Sequence, residues 1–285
     1  LHYFIDARSW HEYYPKKETE NPFPPEMSYG ERPKSLPRGG PWQYSETDWH
    51  AFDATDEEMG GDYHVASWVS EQLSRPHEKP LFLACGIYRP HEPWFVPKKY
   101  FDRFPLEKVQ MPPGVKEGDL DDVPPLGQKI GRNRYLAHIR KHGQWRRGVQ
   151  AYLASIAYAD AMLGRVLDAL ERGPHRDNTL FILTSDHGDG VGFHAKVSKG
   201  YLEEEASRVP AVVSWPGRIK QGVRDTQHLV SVVDVAATVC DYAGAPPMPK
   251  TTIARSWRRL LEGKETPWRD YVVCETSIGS LSVCV

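Results

Sequence analysis

Apolar positions recur at helical spacing in three stretches of this chain and gather into short unbroken runs in four others. From Asp56 to Leu73 they fall at Met59, Tyr63, Val65, Trp68, Val69 and Leu73, a spacing that predicts a helix. From Trp145 to Leu170 one face is marked by Val149, Tyr152, Leu153, Ile156, Leu163, Val166, Leu167 and Leu170, and Gly173-Pro174 stops it. Val232, Val235, Ala236 and Val239 predict a third helix over 231–242, and 198–206 has the length of a short one. The unbroken runs are LFLACGIY after Pro80, LFILTS after Thr179, PAVVSW after Val209 and RDYVVCE after Trp268. The first two read as buried strands, the first of parallel type with Cys85 as a small core residue, and the third and fourth read as further strands.

Between these elements the chain is irregular. Residues 1–60 are rich in Pro, aromatic and charged residues without periodicity, and 92–127 form a Pro-punctuated loop. Trp10, Tyr13, Tyr14, Trp42 and Trp49 predict that the first stretch wraps on a core, since a free linker would not carry so many aromatics. The order strand, loop, long helix, strand, short helix, strand, helix predicts an α/β sheet with helices on its faces. The length of 285 residues suffices for one large α/β domain or two smaller ones. With 36 Lys and Arg against 38 Asp and Glu, the balance argues against nucleic acid as a partner. No run of about 18 apolar residues is present to span a membrane, and no signal-peptide pattern opens the chain at Leu1. The four cysteines form no zinc-binding pattern.

In open α/β sheets, sites form at the carboxyl ends of strands. Here one strand end delivers Arg89-Pro90-His91 and another Asp186-His187-Gly188. An adjacent carboxylate and imidazole suit a divalent cation, and Gly188, Gly190 and Gly192 let the backbone turn sharply beside a ligand. A turn capped by Asp186 is the competing reading. His91, His194 and Lys199 are each unremarkable alone. As a set, two imidazoles and an ammonium could clamp an oxyanion.

These residues carry a resemblance. SDHGDGVGFHAKVSKGYLEEEASRVPAVVSWPG, from Ser185 to Gly217, resembles the pattern of the formylglycine-dependent (type I) sulfatases, with the spacings Asp186 to Lys199 and Lys199 to Arg208 kept. RPHEPW is similar to that family's substrate-histidine turn. With DEEMGG at 56–61, it is nearest to bacterial iduronate-2-sulfatase-like enzymes. The resemblance covers roughly 56–273. It implies an alkaline-phosphatase-like α/β sandwich with a central, mostly parallel sheet flanked by helices. It implies calcium held by Asp186 and His187, sulfate contacted by Lys199 and His91, with His91 near the bridging oxygen, and His194 on the site wall. Its substrate would be a sulfated small molecule or saccharide, and its compartment periplasmic or extracellular.

The sequence also departs from the pattern. The family's nucleophile is the Cys or Ser of C/S-x-P/A-S-R, oxidised to formylglycine, and no such pentad is present. Cys85-Gly-Ile-Tyr-Arg89 lacks its Pro and Ser, and Asp121-Asp122 follows no strand, so neither replaces the missing nucleophile or the family's paired aspartates. Phe193 and Val197 stand where Glu and Trp are usual, and the tail from Ser277 does not match. The expectation is therefore a sheet incomplete at the N-terminus, with 1–245 from the main domain and 246–285 opening a smaller subdomain. Such a chain would be inactive alone. The rivals are a non-catalytic binder of sulfated glycans and a phosphodiesterase or phosphonate hydrolase of the alkaline phosphatase superfamily.

Overall fold

The structure is a computed structural model that describes residues 8–15, 47–113, 116–131, 134–192, 197–278 and 281–284. In chain order the elements are β1 (Trp49–Phe52), α1 (Asp62–Ser74), β2 (Trp94–Pro97), α2 (Lys98–Phe101), α3 (Pro125–Gly131), α4 (Arg134–Lys141), α5 (Trp145–Arg172), β3 (Phe181–Thr184), α6 (Glu204–Ser207), β4 (Ala211–Ser214), α7 (Asp234–Ala243), α8 (Arg258–Leu261), β5 (Glu275–Ile278) and β6 (Leu281–Cys284). They divide between two compact units, residues 1–112 with 134–175, and residues 113–133 with 176–285.

The first unit is built on α5, whose core face carries α1 and the parallel pair β1–β2. All four residues of β2 are buried, with Phe95 and Val96 at 0% exposure. On α1, Ala66, Val69 and Leu73 repeat every three or four residues and meet Ala154, Tyr158, Met162 and Val166 of α5. The buried stripe of α5 differs from the one the sequence predicts. Ala151, Ala154 and Ala157 face the core, while Ile156 and Leu167 are exposed. Hydrophobicity marks the large residues, but close approach of two helices selects the small ones.

The run 81–88 departs furthest from expectation. It forms no strand and pairs with none among the described residues. Leu81 and Phe82 are 45% and 63% exposed, and Cys85 is exposed rather than in the core. A parallel-type strand is buried only when neighbours cover both its edges and faces, and no described strand does so here. Conversely β1 and β2 lie in stretches that read as irregular. Each has four residues, too few for a period-2 signal, and their pairing is between residues 45 apart, Trp49 with Trp94.

In the second unit β3 and β4 form as the sequence predicts and pair antiparallel, Phe181 opposite Ser214 and Thr184 opposite Ala211. β3, expected to be buried, is intermediate throughout and three of the four β4 residues are exposed, because a two-stranded ladder cannot bury both its faces. The fourth strand is displaced: residues 269–274 join no strand among the described residues, and β5 pairs instead with β6. The predicted helix over 231–242 appears as α7. It is stopped at Gly244, whose φ of 65° is the left-handed cap that glycine adopts readily.

Asp234, at 0% exposure, organises this unit. Its carboxylate accepts from the N–H groups of Ser231 and Arg255, from Trp257 Nε1, and from the Arg269 guanidinium at 2.7 Å. The Arg269 side chain is itself only 7% exposed. Asp234→Ala would leave that guanidinium buried without its counter-charge. The expected loss is about 3–5 kcal/mol in urea denaturation, and a loss below about 1 kcal/mol would count against this role.

Candidate active site

The turn that presents His91 is held from below by α1. Asp62, buried at the start of that helix, accepts the N–H groups of Tyr88 and Arg89 at 2.6 and 3.1 Å, and the Arg89 guanidinium lies 3.7 Å away. Arg89 donates onward to Phe95 O of β2 at 2.9 Å, and Trp94 Nε1 to Pro90 O at 2.9 Å. The turn is thereby fixed to the buried core.

Within it, His91 Nδ1 lies 2.7 Å from Glu92 O and 2.8 Å from the Tyr88 hydroxyl, which donates to the same carbonyl at 2.9 Å. A carbonyl can only accept, so Nδ1 carries the proton. In the neutral ring Nε2 is then the basic nitrogen. Tyr88 was not legible as part of the site, because nothing in its spacing distinguishes it from a core aromatic.

In the second unit Asp186 and His187 follow β3 directly. The Asp186 side chain is 85% exposed and that of His187 31%. Ser185 Oγ donates to His187 O at 2.8 Å, and Asp186 Oδ1 accepts the His187 N–H at 3.0 Å. His187 repeats the arrangement of His91. Its Nδ1 is 2.8 Å from the carbonyl of the next residue, Gly188, and Nε2 lies 3.7 Å from Asp186 Oδ2. An imidazole whose Nδ1–H is fixed by a carbonyl presents Nε2 as a metal ligand. The pair therefore fits one side of a cation shell. It cannot complete one, since a calcium ion takes six to eight oxygens and the described residues hold no cluster of three or more such side chains.

Gly188 makes the approach to α6 possible. Its N–H donates to Ala206 O at 2.9 Å, and a Cβ at this position would sit 2.0 Å from Glu205 O. Beside this contact lies a cleft of about 250 Å³ whose walls include His187, Lys199, Tyr201, Ser207, Cys274 and Glu275. The structure thus brings two of the predicted residues, His187 and Lys199, to one cleft, with Asp186 adjacent in the chain. His91 belongs to the first unit. His194 lies outside the described residues.

Asp189 is a residue that the motif reading passed over. Its Oδ1 accepts the N–H of Val191 at 3.0 Å and of Ser198 at 3.1 Å, closing the loop that ends at Lys199. Val191 has φ 45° and Ser198 φ 72°, conformations costing non-glycine residues of order 1–3 kcal/mol each. The shared carboxylate offsets that cost. An Asp two residues before a turn is the available sequence signal, and it is weak.

Solved structures share this architecture. A phosphonate monoester hydrolase of Agrobacterium radiobacter superposes with a TM-score of 0.69 at 25% identity, covering 80% of this chain and 47% of its own. A structure described in complex with its substrate D-glucosamine-2-N,6-O-disulfate gives 0.59 at 21% identity, covering 77% and 56%. The fold is α/β, of the alkaline-phosphatase-like class. The Sulfatase family profile matches residues 1–245, and the chain belongs to that family. A sulfatase of Formosa agariphila is 35% identical over 234 residues, 81% of this chain and 45% of its own. An iduronate 2-sulfatase of Mus musculus is 29% identical over 210 residues, 61% and 38%. The chain thus spans less than half the length of these curated relatives.

Two outcomes are expected. Gly188→Ala, which drives a methyl group into the Glu205 carbonyl, destabilises the protein by about 1–3 kcal/mol and shifts the amide resonances of Tyr201 and Ser207. An unchanged melting temperature and spectrum would contradict the contact. Long-range ¹H–¹⁵N correlation spectra, recorded with the rings neutral, show His91 and His187 as Nδ1–H tautomers. An Nε2–H pattern at either ring would overturn the assignment.

Proposed function

We propose that this chain supplies the cation-binding and sulfate-binding side of a sulfuric ester hydrolase that acts on a sulfated sugar. The observation that carries the proposal is the cleft shared by His187 and Lys199, with Asp186 Oδ2 3.7 Å from His187 Nε2. Family membership makes a sulfate ester the natural occupant. The similarity to an iduronate 2-sulfatase favours a saccharide.

In this reading Asp186 and His187 Nε2 hold part of the shell of a divalent cation, calcium by resemblance. When bound, it neutralises sulfate charge and polarises the sulfur–oxygen bonds. The Lys199 ammonium binds a sulfate oxygen by a charge-assisted hydrogen bond. His91 serves at the leaving side. With Nδ1 committed to the Glu92 carbonyl, any proton it exchanges sits on Nε2, and the imidazolium delivers that proton to the bridging oxygen as the alcohol departs. His194 is assigned to the wall of the sulfate pocket on the resemblance alone. Attack on sulfur is assigned to no residue of this chain, because the C/S-x-P/A-S-R pentad is not in its sequence. The same reading places the protein in the periplasm or outside the cell, where sulfated glycans are met. Among the described residues, no helix is long and apolar enough to cross a membrane.

The test reconstitutes this chain with the pentad-bearing half of a sulfatase and compares glucosamine 6-sulfate with a phosphonate monoester. Sulfate release is expected, and Lys199→Ala should lower kcat/KM by about 10²–10³. Faster phosphonate hydrolysis would replace the proposal with a phosphonate hydrolase. Retained binding of sulfated sugar with no turnover of either ester would replace it with a glycan-binding role.

A further inference from the structure

Between Asp122 and Asp160 the chain has no acidic residue but seven Lys and Arg, although acids outnumber these bases over the whole sequence, 38 to 36. The structure gathers part of this excess at one corner of the first unit. α4 buries Leu136 and Ile139, which leaves Arg140 and Lys141 exposed at its end. Gly143, with φ 64°, turns the chain into α5, whose first turn exposes Arg146 and Arg147. Arg140 lies over the Trp145 ring at 5.4 Å, and Arg146 donates to Val109 O.

At several other places on the surface exposed cations sit on carboxylates, as in Lys98–Asp102, Lys99–Asp56, Arg172–Asp168 and Arg208–Glu204. Among the described residues, Arg140, Lys141, Arg146 and Arg147 have no carboxylate within ion-pair distance. Arginines in the first turn of a helix are also opposed by its dipole, so the arrangement does not serve the stability of α5. It concentrates positive potential.

The corner is also tied to the His91 turn. Gly148 packs its Cα face on Trp49, where a Cβ would be 3.4 Å from the ring. Trp49 stacks on Trp94 at 6.1 Å, and Trp94 Nε1 donates to Pro90 O, one residue before His91. Two aromatic rings therefore separate the basic corner from the turn that carries the proposed proton donor.

We propose that this corner is an exosite for a polyanionic saccharide: it holds further sulfate or carboxylate groups of the chain whose ester lies at His91. This deepens the function proposed above and rests on it for the nature of the ligand. A sulfated glycan fits better than nucleic acid because the basic surface is one corner of a chain of net charge −2, whereas nucleic acid is tracked by a broader basic face.

The experiment measures binding of the 285-residue protein to heparin, as a sulfated polysaccharide, over a range of salt concentrations. Arg140→Glu/Lys141→Glu/Arg147→Glu should weaken binding tenfold or more and flatten its salt dependence. The charge-neutral Gln triple should fall between it and the parent. Arg172→Gln, which removes an exposed cation outside the corner, should keep the parent affinity. Equal affinity in the Glu triple would overturn the proposal. So would DNA bound as tightly as heparin and lost in the same variant, which would indicate unselective polyanion binding. Binding is read without turnover, so an exosite that holds heparin while the reconstituted enzyme releases no sulfate would refute only the proposed hydrolysis.

Discussion

A carboxylate taken out of water is tolerable only when charge and hydrogen bonds replace the water it loses. Each unit of this protein is arranged around one that meets that condition. Asp62 joins the start of α1 to the backbone of Tyr88 and Arg89 and to the Arg89 guanidinium. Asp234 joins the start of α7 to Arg255, Trp257 and Arg269. Neither is a candidate for chemistry. Each ties loops to a helix start in its own unit, and Asp62 reaches the turn that carries His91. Without Asp62, the turn at 88–95 would lose its ties to α1 and keep those to β2 and to Thr47 and Asp48.

The two candidate histidines share one solution to a common problem. An imidazole that is to act through a defined nitrogen has to be fixed in one tautomer. Both rings achieve this with the carbonyl of the following residue, Glu92 for His91 and Gly188 for His187. At His187 the geometry continues into packing. The glycine that supplies the carbonyl also gives the space in which Ala206 O accepts its N–H, and Ala206 and Ser207 line the cleft beside Lys199. Local backbone, helix docking and cleft shape are thus one structural unit.

The backbone on either side of Lys199's loop is tied down by one carboxylate. Val191 and Ser198 occupy left-handed conformations that neither favours, and one Asp189 oxygen holds both N–H groups. Strain of this kind persists where surrounding bonds over-determine the backbone, and it is common next to functional groups.

What the sequence determined by itself is the α/β character, the two long helices on α1 and α5, the strands β3 and β4, and the adjacency of Asp186 and His187. All depend on local periodicity or on residues neighbouring in the chain, which a single sequence carries. The family pattern added Lys199 and His91 through spacing. Other features needed the tertiary structure, because their cause lies far away in sequence. β1 and β2 are strands because Trp49 and Trp94 meet. Half or more of the run at 81–88 stays exposed, with Leu83 and Ile87 packed on the core and no described strand covering the rest, although its composition is that of a core strand. The stripe of α5 turns its alanines inward because α1 approaches closely there. Hydrophobicity along the chain says which residues would gain from burial, but only the arrangement of partners decides which of them are buried.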